Sequence, residues 1–279
     1  MAKTSTILDR IVEAKRKDLE EARQGVSLAE LERRIASQPS PRSLSAVLRG
    51  ERTDLIAEVK KASPSRGLLV ADFDPVALAR IYTENGAAAI SILTETPHFQ
   101  GSLDHLEAVR EALGPGCPPL LRKDFIFDTY QVHEARAWGA DAVLLIAAIL
   151  TQSQIEQLIA EARGLGMECL VEVHNKSEVK AALGGGAEIV GLNNRDLTTF
   201  EVDLKTTRRL RPAIPGHVTT VAESGIFTRD HVATLAEWGV DAVLVGEGLV
   251  KAPDVGAKVR ELAGLTPASS HTGGTINSP

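Results

Sequence analysis

The chain has 279 residues, 43% of them hydrophobic and 24% charged, and carries a formal charge of −6. This balance suits a soluble globular protein with a sizeable core, and the acidity, without any long basic run, argues against a nucleic-acid partner. Two cysteines, Cys117 and Cys169, supply neither a disulfide framework nor a four-thiolate zinc site. The opening segment is charged throughout and lacks the apolar stretch of a secretory signal. The longest apolar run, at 142–150, falls well short of the roughly 20 residues of a membrane span, so a cytoplasmic location with no membrane partner is expected.

In chain order, residues 1–50 read as a helical extension, with helices over 7–22 and 28–36 followed by Pro39 and Pro41, expected to lie across one end of the fold. A strand follows at 54–60. Beyond it, helices at 75–84, 103–113, 129–138, 153–163, 203–211 and 230–238 alternate with apolar strands. Four of those strands open in the same way, after Gly86, Gly139, Gly186 and Gly239, each glycine closing a helix in the left-handed conformation. The motif recurs about every 50 residues, twice the length of one strand-plus-helix unit, which requires another strand in each gap. The segments 54–60, 119–125, 167–173 and 218–223 fill that role. Eight β/α units over 51–265 fit a single (β/α)8 TIM barrel. An open doubly wound sheet would want a Gly-x-Gly-x-x-Gly turn after its first strand, and none is present. The tail 266–279, small, polar and interrupted by glycine and proline, is expected to be disordered.

Barrel chemistry sits at the C-terminal strand ends. There the sequence places Glu58 and Lys60, Lys123, Glu172, Asn193 and Arg195, then Glu223 and Ser224. A lone ion pair of this kind would serve as well in a ring closing the barrel top. Two lysines, two glutamates and an asparagine converging from four strands instead suit proton transfer. Gly225 with Gly246, Glu247 and Gly248, after strands seven and eight, form an expected phosphate corner built on backbone N–H groups. All six phenylalanines fall just after strands, where they either seal the mouth or face an aromatic substrate. The scattered histidines have no metal-ligand spacing, so neither metal nor cofactor is expected.

These strand ends carry a family resemblance. The segment LIAEVKKASPS at 55–65 resembles the signature of the indole-3-glycerol phosphate synthases. SILTE at 91–95, FQGS at 99–102, RKDF at 122–125, VEV at 171–173, NNRDL at 193–197 and AESGI at 222–226 follow in the same order. The resemblance implies a carboxy-lyase (EC 4.1.1.48) of tryptophan biosynthesis. Its reaction closes 1-(2-carboxyphenylamino)-1-deoxyribulose 5-phosphate to indole-3-glycerol phosphate, releasing CO2 and water. It implies Lys123 as general acid at the ribulose carbonyl, Glu172 as stabiliser of the cationic intermediate, and Lys60 with Glu58 in the dehydration. Asn193, Arg195, Glu223 and Ser224 would orient the substrate and the catalytic side chains. Ser63, Gly225, Gly246 and Glu247 would hold the phosphate, and Phe99 and Phe125 would line the anthranilate pocket. Two rivals remain on the same barrel: a Schiff-base aldolase with Lys123 or Lys60 as nucleophile, and a phosphosugar-binding barrel without catalysis. The partner expected is this small phosphosugar-anthranilate molecule, for a monomer or weak homo-oligomer.

Overall fold

A computed structural model describes residues 7–197 and 199–265; the tail 266–279 lies outside the described residues. Eight parallel strands close into a barrel: β1 (Asp54–Val59), β2 (Ala89–Leu93), β3 (Leu120–Lys123), β4 (Ala142–Ile146), β5 (Glu168–Val173), β6 (Ile189–Asn193), β7 (Thr219–Glu223) and β8 (Ala242–Val245). Closure pairs β1 with β8, Asp54 opposite Ala242 and Ala57 opposite Val245. The fold is a (β/α)8 TIM barrel.

The helices begin where short polar side chains can accept a bond from the first turn. Asp74 caps α4 (Pro75–Glu84), Ser102 caps α5 (Leu103–Leu113) and Asn175 caps α8 (Lys176–Gly184). Asp128 and Thr151 form capping boxes with Gln131 and Gln154 at the starts of α6 (Thr129–Ala137) and α7 (Gln152–Gly164). The glycines of the repeat all have positive φ, from 80° at Gly239 to 96° at Gly86, as the helix-ending reading required. The four expected gap strands run shorter than their apolar segments. β3 omits Pro119, which has no N–H to give, and stops before Asp124, whose carboxylate turns back onto the Phe125 N–H at 2.8 Å.

Alternation along each strand sorts the barrel into two cores. Leu55, Ala57, Val59, Val171, Val173, Val190 and Leu192 face the surrounding helices. Ile56, Leu121, Leu170, Ile189 and Val221 point inward and fill the lower barrel. The next inward positions up those strands are Glu58, Lys123, Glu172, Gly191 and Glu223. One alternation rule therefore both packs the interior and loads its upper layer with charge.

The segment before β1 reaches both ends of the barrel rather than one. Ile7, Leu8 and Ile11 of α1 (Ile7–Gly25) line the mouth. The helix α2 (Leu28–Ser37) packs on α6, with the Arg34 guanidinium 3.9 Å over the Trp138 ring. At the opposite end, α3 (Leu44–Val47) and the residue that caps it insert Leu44 and Leu48 into the inner core, and the Ser45 N–H donates to Glu168 at 2.8 Å. Among the described residues, no helix is long and apolar enough to cross a membrane.

Candidate active site

A cavity opens at the C-terminal strand ends, and every catalytic or substrate-binding residue expected from the sequence lines it. Glu58, Lys60, Lys123, Glu172, Asn193 and Ser224 are there, together with Ser63, Phe99, Phe125, Arg195, Glu223, Gly225, Gly246 and Glu247. Of the six phenylalanines, Phe99, Phe125, Phe200 and Phe227 reach the cavity. Phe73 instead packs against His105, at 5.3 Å between centroids, and Phe127 lies under the Arg16 guanidinium. The aromatic bias thus has more than one origin: four rings wall the cavity, Phe127 packs beneath the extension and Phe73 packs on α5.

Charge at the cavity floor is organised around Lys123. Its Nζ stands 3.5 Å from both Glu172 Oε2 and Glu223 Oε2. Burial alone would lower the ammonium pKa, but the Glu223, Glu172 and Glu58 carboxylates outweigh it and hold the group above the ordinary lysine range. The two carboxylates that share this ammonium part company. Burial raises Glu223, and the neighbouring Glu172 and Glu58 charges add to that, whereas the Lys123 ammonium and the nearby His174 and Asn193 side chains overcome burial and hold Glu172 low.

Lys60 Nζ lies 3.2 Å from Glu58 Oε1 and 5.4 Å from the centre of the Phe99 ring, which tilts against Phe125 at 6.4 Å. Glu95, nearly fully buried, fixes the loop that carries Phe99: its carboxylate accepts from the His98 and Phe99 N–H groups at 2.8 and 2.9 Å. Asn194 ties two loops together, donating to Ser224 O at 3.2 Å and accepting from Thr207 Oγ1 at 2.8 Å. Ser224 has φ 65°, an unfavourable left-handed conformation of the kind that collects at functional sites. Gly225 follows at φ 79°, and a Cβ there would overlap Val202, so only glycine fits this corner.

Sequence reasoning missed three groups here. Ile7, Leu8 and Ile11 form part of the wall although they lie more than forty residues before β1. Lys15 bonds Asp124 at 2.8 Å, pinning α1 beside Lys123. Arg66 and Lys251 approach Glu247 Oε1 at 3.4 and 2.9 Å, offsetting a carboxylate in the corner expected to hold an anion. The α1 contacts, Lys15 on Asp124 and Arg66 on Glu247 join distant segments and have no local signature, whereas Lys251 lies four residues after Glu247, a spacing that marks a helical ion pair.

Comparison with known proteins agrees with the geometry. A family model described as indole-3-glycerol phosphate synthase matches residues 8–262. The indole-3-glycerol phosphate synthase of Roseiflexus sp. (strain RS-1) is 53% identical, over 93% of this chain and 98% of that protein. Those of Dehalococcoides mccartyi (strain CBDB1) and Mycolicibacterium vanbaalenii (strain DSM 7251 / JCM 13017 / BCRC 16820 / KCTC 9966 / NRRL B-24157 / PYR-1) are 52% and 46% identical, over 92% and 95% of the chain and 99% and 97% of theirs. Among solved structures, a 3-hexulose-6-phosphate synthase superposes with a TM-score of 0.60 at 16% identity, over 76% of this chain and 99% of that one. The Pyrococcus furiosus thiamine phosphate pyrophosphorylase reaches 0.58 at 21%, over 77% and 95%, and both share the barrel fold. At half-identity along nearly its whole length, with the barrel and its charged upper layer in place, the chain belongs to the indole-3-glycerol phosphate synthase family and is an enzyme of the carboxy-lyase class (EC 4.1.1.48).

Proposed function

We propose that the protein closes the indole ring of 1-(2-carboxyphenylamino)-1-deoxy-D-ribulose 5-phosphate with Lys123 as general acid. The observation that carries this reading is the buried Lys123 ammonium, 3.5 Å from each of two carboxylates and thereby kept protonated. The arylamine nitrogen drives its ring carbon onto the ribulose C2 carbonyl, and Lys123 protonates the oxygen as that bond forms. Glu172 stabilises the resulting cation through its negative charge. Departure of CO2 returns the electron pair of the broken bond to the ring. In the dehydration, the Lys60–Glu58 pair supplies a proton to the departing hydroxyl and takes one from carbon. With the substrate carboxylate ionised, one proton is consumed in each turnover.

Binding follows from the rest of the cavity. Phe99 and Phe125 offer the anthranilate ring an apolar wall. The phosphate takes the N–H groups of the Gly225 and Gly246–Gly248 corner, the Ser63 hydroxyl and the nearby Arg66, Arg195 and Lys251 cations. Asn193, Arg195, Glu223 and Ser224 orient the substrate and the acid.

Two measurements separate this enzyme from an imine-forming aldolase, whose lysine must be neutral to attack. Borohydride added during turnover is expected to leave no adduct on the protein, while indole fluorescence rises with one CO2 per product. Lys123→Ala is expected to lower kcat by about 10²-fold or more with the melting temperature little changed. A reduced substrate adduct on Lys123 or Lys60, without indole product, would establish the aldolase instead. A Lys123→Ala protein keeping a tenth of the rate would remove Lys123 from the acid role.

A further inference from the structure

Beside Glu172, and outside the residues that line the cavity, stands a histidine that the mechanism leaves unused. His174 follows β5 and is mostly buried. Its Nδ1 lies 2.9 Å from Glu178 Oε2, the same oxygen that accepts from the His174 backbone N–H at 2.7 Å. The other oxygen of Glu178 accepts from Asn175, the residue that caps α8. Clamped at three points, Glu178 fixes the plane of the imidazole and aims Nε2 inward. That atom is fully buried, has no well-aligned hydrogen bond, and stands 3.2 Å from Glu172 Oε1. The two oxygens of Glu172 therefore meet different cations, Oε1 the imidazole and Oε2 the Lys123 ammonium.

We infer that His174, held by Glu178, is a positioning residue that keeps the Glu172 carboxylate oriented and ionised through the proton transfer from Lys123. This rests on the roles proposed above for Lys123 and Glu172 and deepens them. When Lys123 gives up its proton, the ammonium shared by Glu172 and Glu223 disappears, leaving two close carboxylates that compete for any incoming proton. Only Glu172 has a second cation behind it. The asymmetry directs that proton to Glu223 and preserves the negative charge of Glu172 for the cationic intermediate. The charged groups facing the imidazole are Glu172 from β5 and Glu178 from α8. Burial disfavours its protonation, but these two carboxylates outweigh that and push its pKa up to about 10, so it stays a cation across the working range.

The experiment compares His174→Ala, His174→Gln and Glu178→Gln in the full chain, following indole fluorescence between about pH 5 and pH 8. His174→Ala is expected to lower kcat on the order of tenfold with KM little changed, since a displaced group costs rate more than binding. The acid limb of kcat is expected to move up by about one pH unit, because Glu172 loses a cation and accepts a proton more easily. His174→Gln, which keeps a donor but not the charge, should restore part of kcat and leave the acid limb displaced. Glu178→Gln should shift both quantities in the same direction by less, and it carries the test if the alanine protein does not fold. Wild-type kcat and acid limb in the foldable variants would overturn the inference, as would a loss confined to KM. Glu172→Gln serves as the control. If it is inactive beside a fully active His174→Ala, this inference alone fails; if it is fully active, the role of Glu172 fails and the inference with it.

Discussion

Two of the cavity glutamates are matched by two missing side chains. Gly191 is an inward position of β6, and a Cβ there would occupy the place of Glu223 Oε1; at Gly246, after β8, a Cβ would occupy that of Glu58 Oε1. In each case the atom displaced is the far end of a flexible side chain, so an added methyl shifts a carboxylate rather than breaking the barrel. Gly191→Ala is therefore expected to melt within a few degrees of the wild type and to lose about tenfold or more in kcat/KM, because an ångström of misplacement in a reacting group is costly. Thermal melts and steady-state rates on one preparation test this. A variant destabilised in proportion to its loss of activity would make Gly191 a packing residue only. Gly225 behaves differently: its positive φ and the Val202 side chain make any substitution there a folding defect as well as a binding one.

Among the elements, α1 couples the extension to the cavity floor. Asp124, next to Lys123, is fully buried and accepts from Lys15, Arg122 and Thr94 at 2.8, 3.0 and 2.6 Å. Burial would raise its carboxyl, but Lys15 and Arg122 reverse that and hold it at about 2, against 3.8 for the free side chain. A carboxyl depressed on folding stabilises the fold above its unfolded pKa and loses that contribution as pH falls through the folded value. Lys15→Met, which leaves a buried carboxylate short of one cation, is expected to cost on the order of 3 kcal/mol near neutral pH. The gap from wild type should narrow between about pH 4 and pH 2, as the carboxyl protonates in both proteins. Melting curves across that range are the measurement, and a constant gap would mean that Lys15 acts by packing alone. Since Ile7, Leu8 and Ile11 of the same helix wall the cavity, KM should rise in parallel.

At the scale of the whole molecule, the barrel depends on joining its ends. β1 pairs with β8, and α12 (Val255–Leu262) covers that seam by packing on α4 and β1. Val259 and Leu262 are fully buried there. Each contributes about 1.5–3 kcal/mol by burial, so the pair approaches the roughly 5–15 kcal/mol that separates a folded domain from its unfolded chain. Ending the chain at Ala252 is expected to abolish cooperative thermal unfolding rather than lower its midpoint slightly. Calorimetry of the shortened protein decides, and a sharp transition near the wild-type temperature would show that the barrel closes without this helix.

How far each level was legible follows from the range of the interactions involved. Alternation along a strand, a capping side chain and a left-handed glycine are local, so the sequence alone determined eight strands, the helices between them and the barrel class. The same alternation told which strand-end residues turn inward, which is why Glu58, Lys123, Glu172 and Glu223 could be named from order along the chain and from the family motifs. Tertiary structure alone decided everything that joins distant segments: Lys15 on Asp124, α1 in the cavity wall and α3 at the far end, and Arg66 on Glu247. Such pairings depend on where the closed barrel brings its strand ends, and no spacing along a chain records a distance across it. The division of protons between Glu172 and Glu223 belongs to that second class, since two chemically identical side chains differ only in the neighbours the fold supplies.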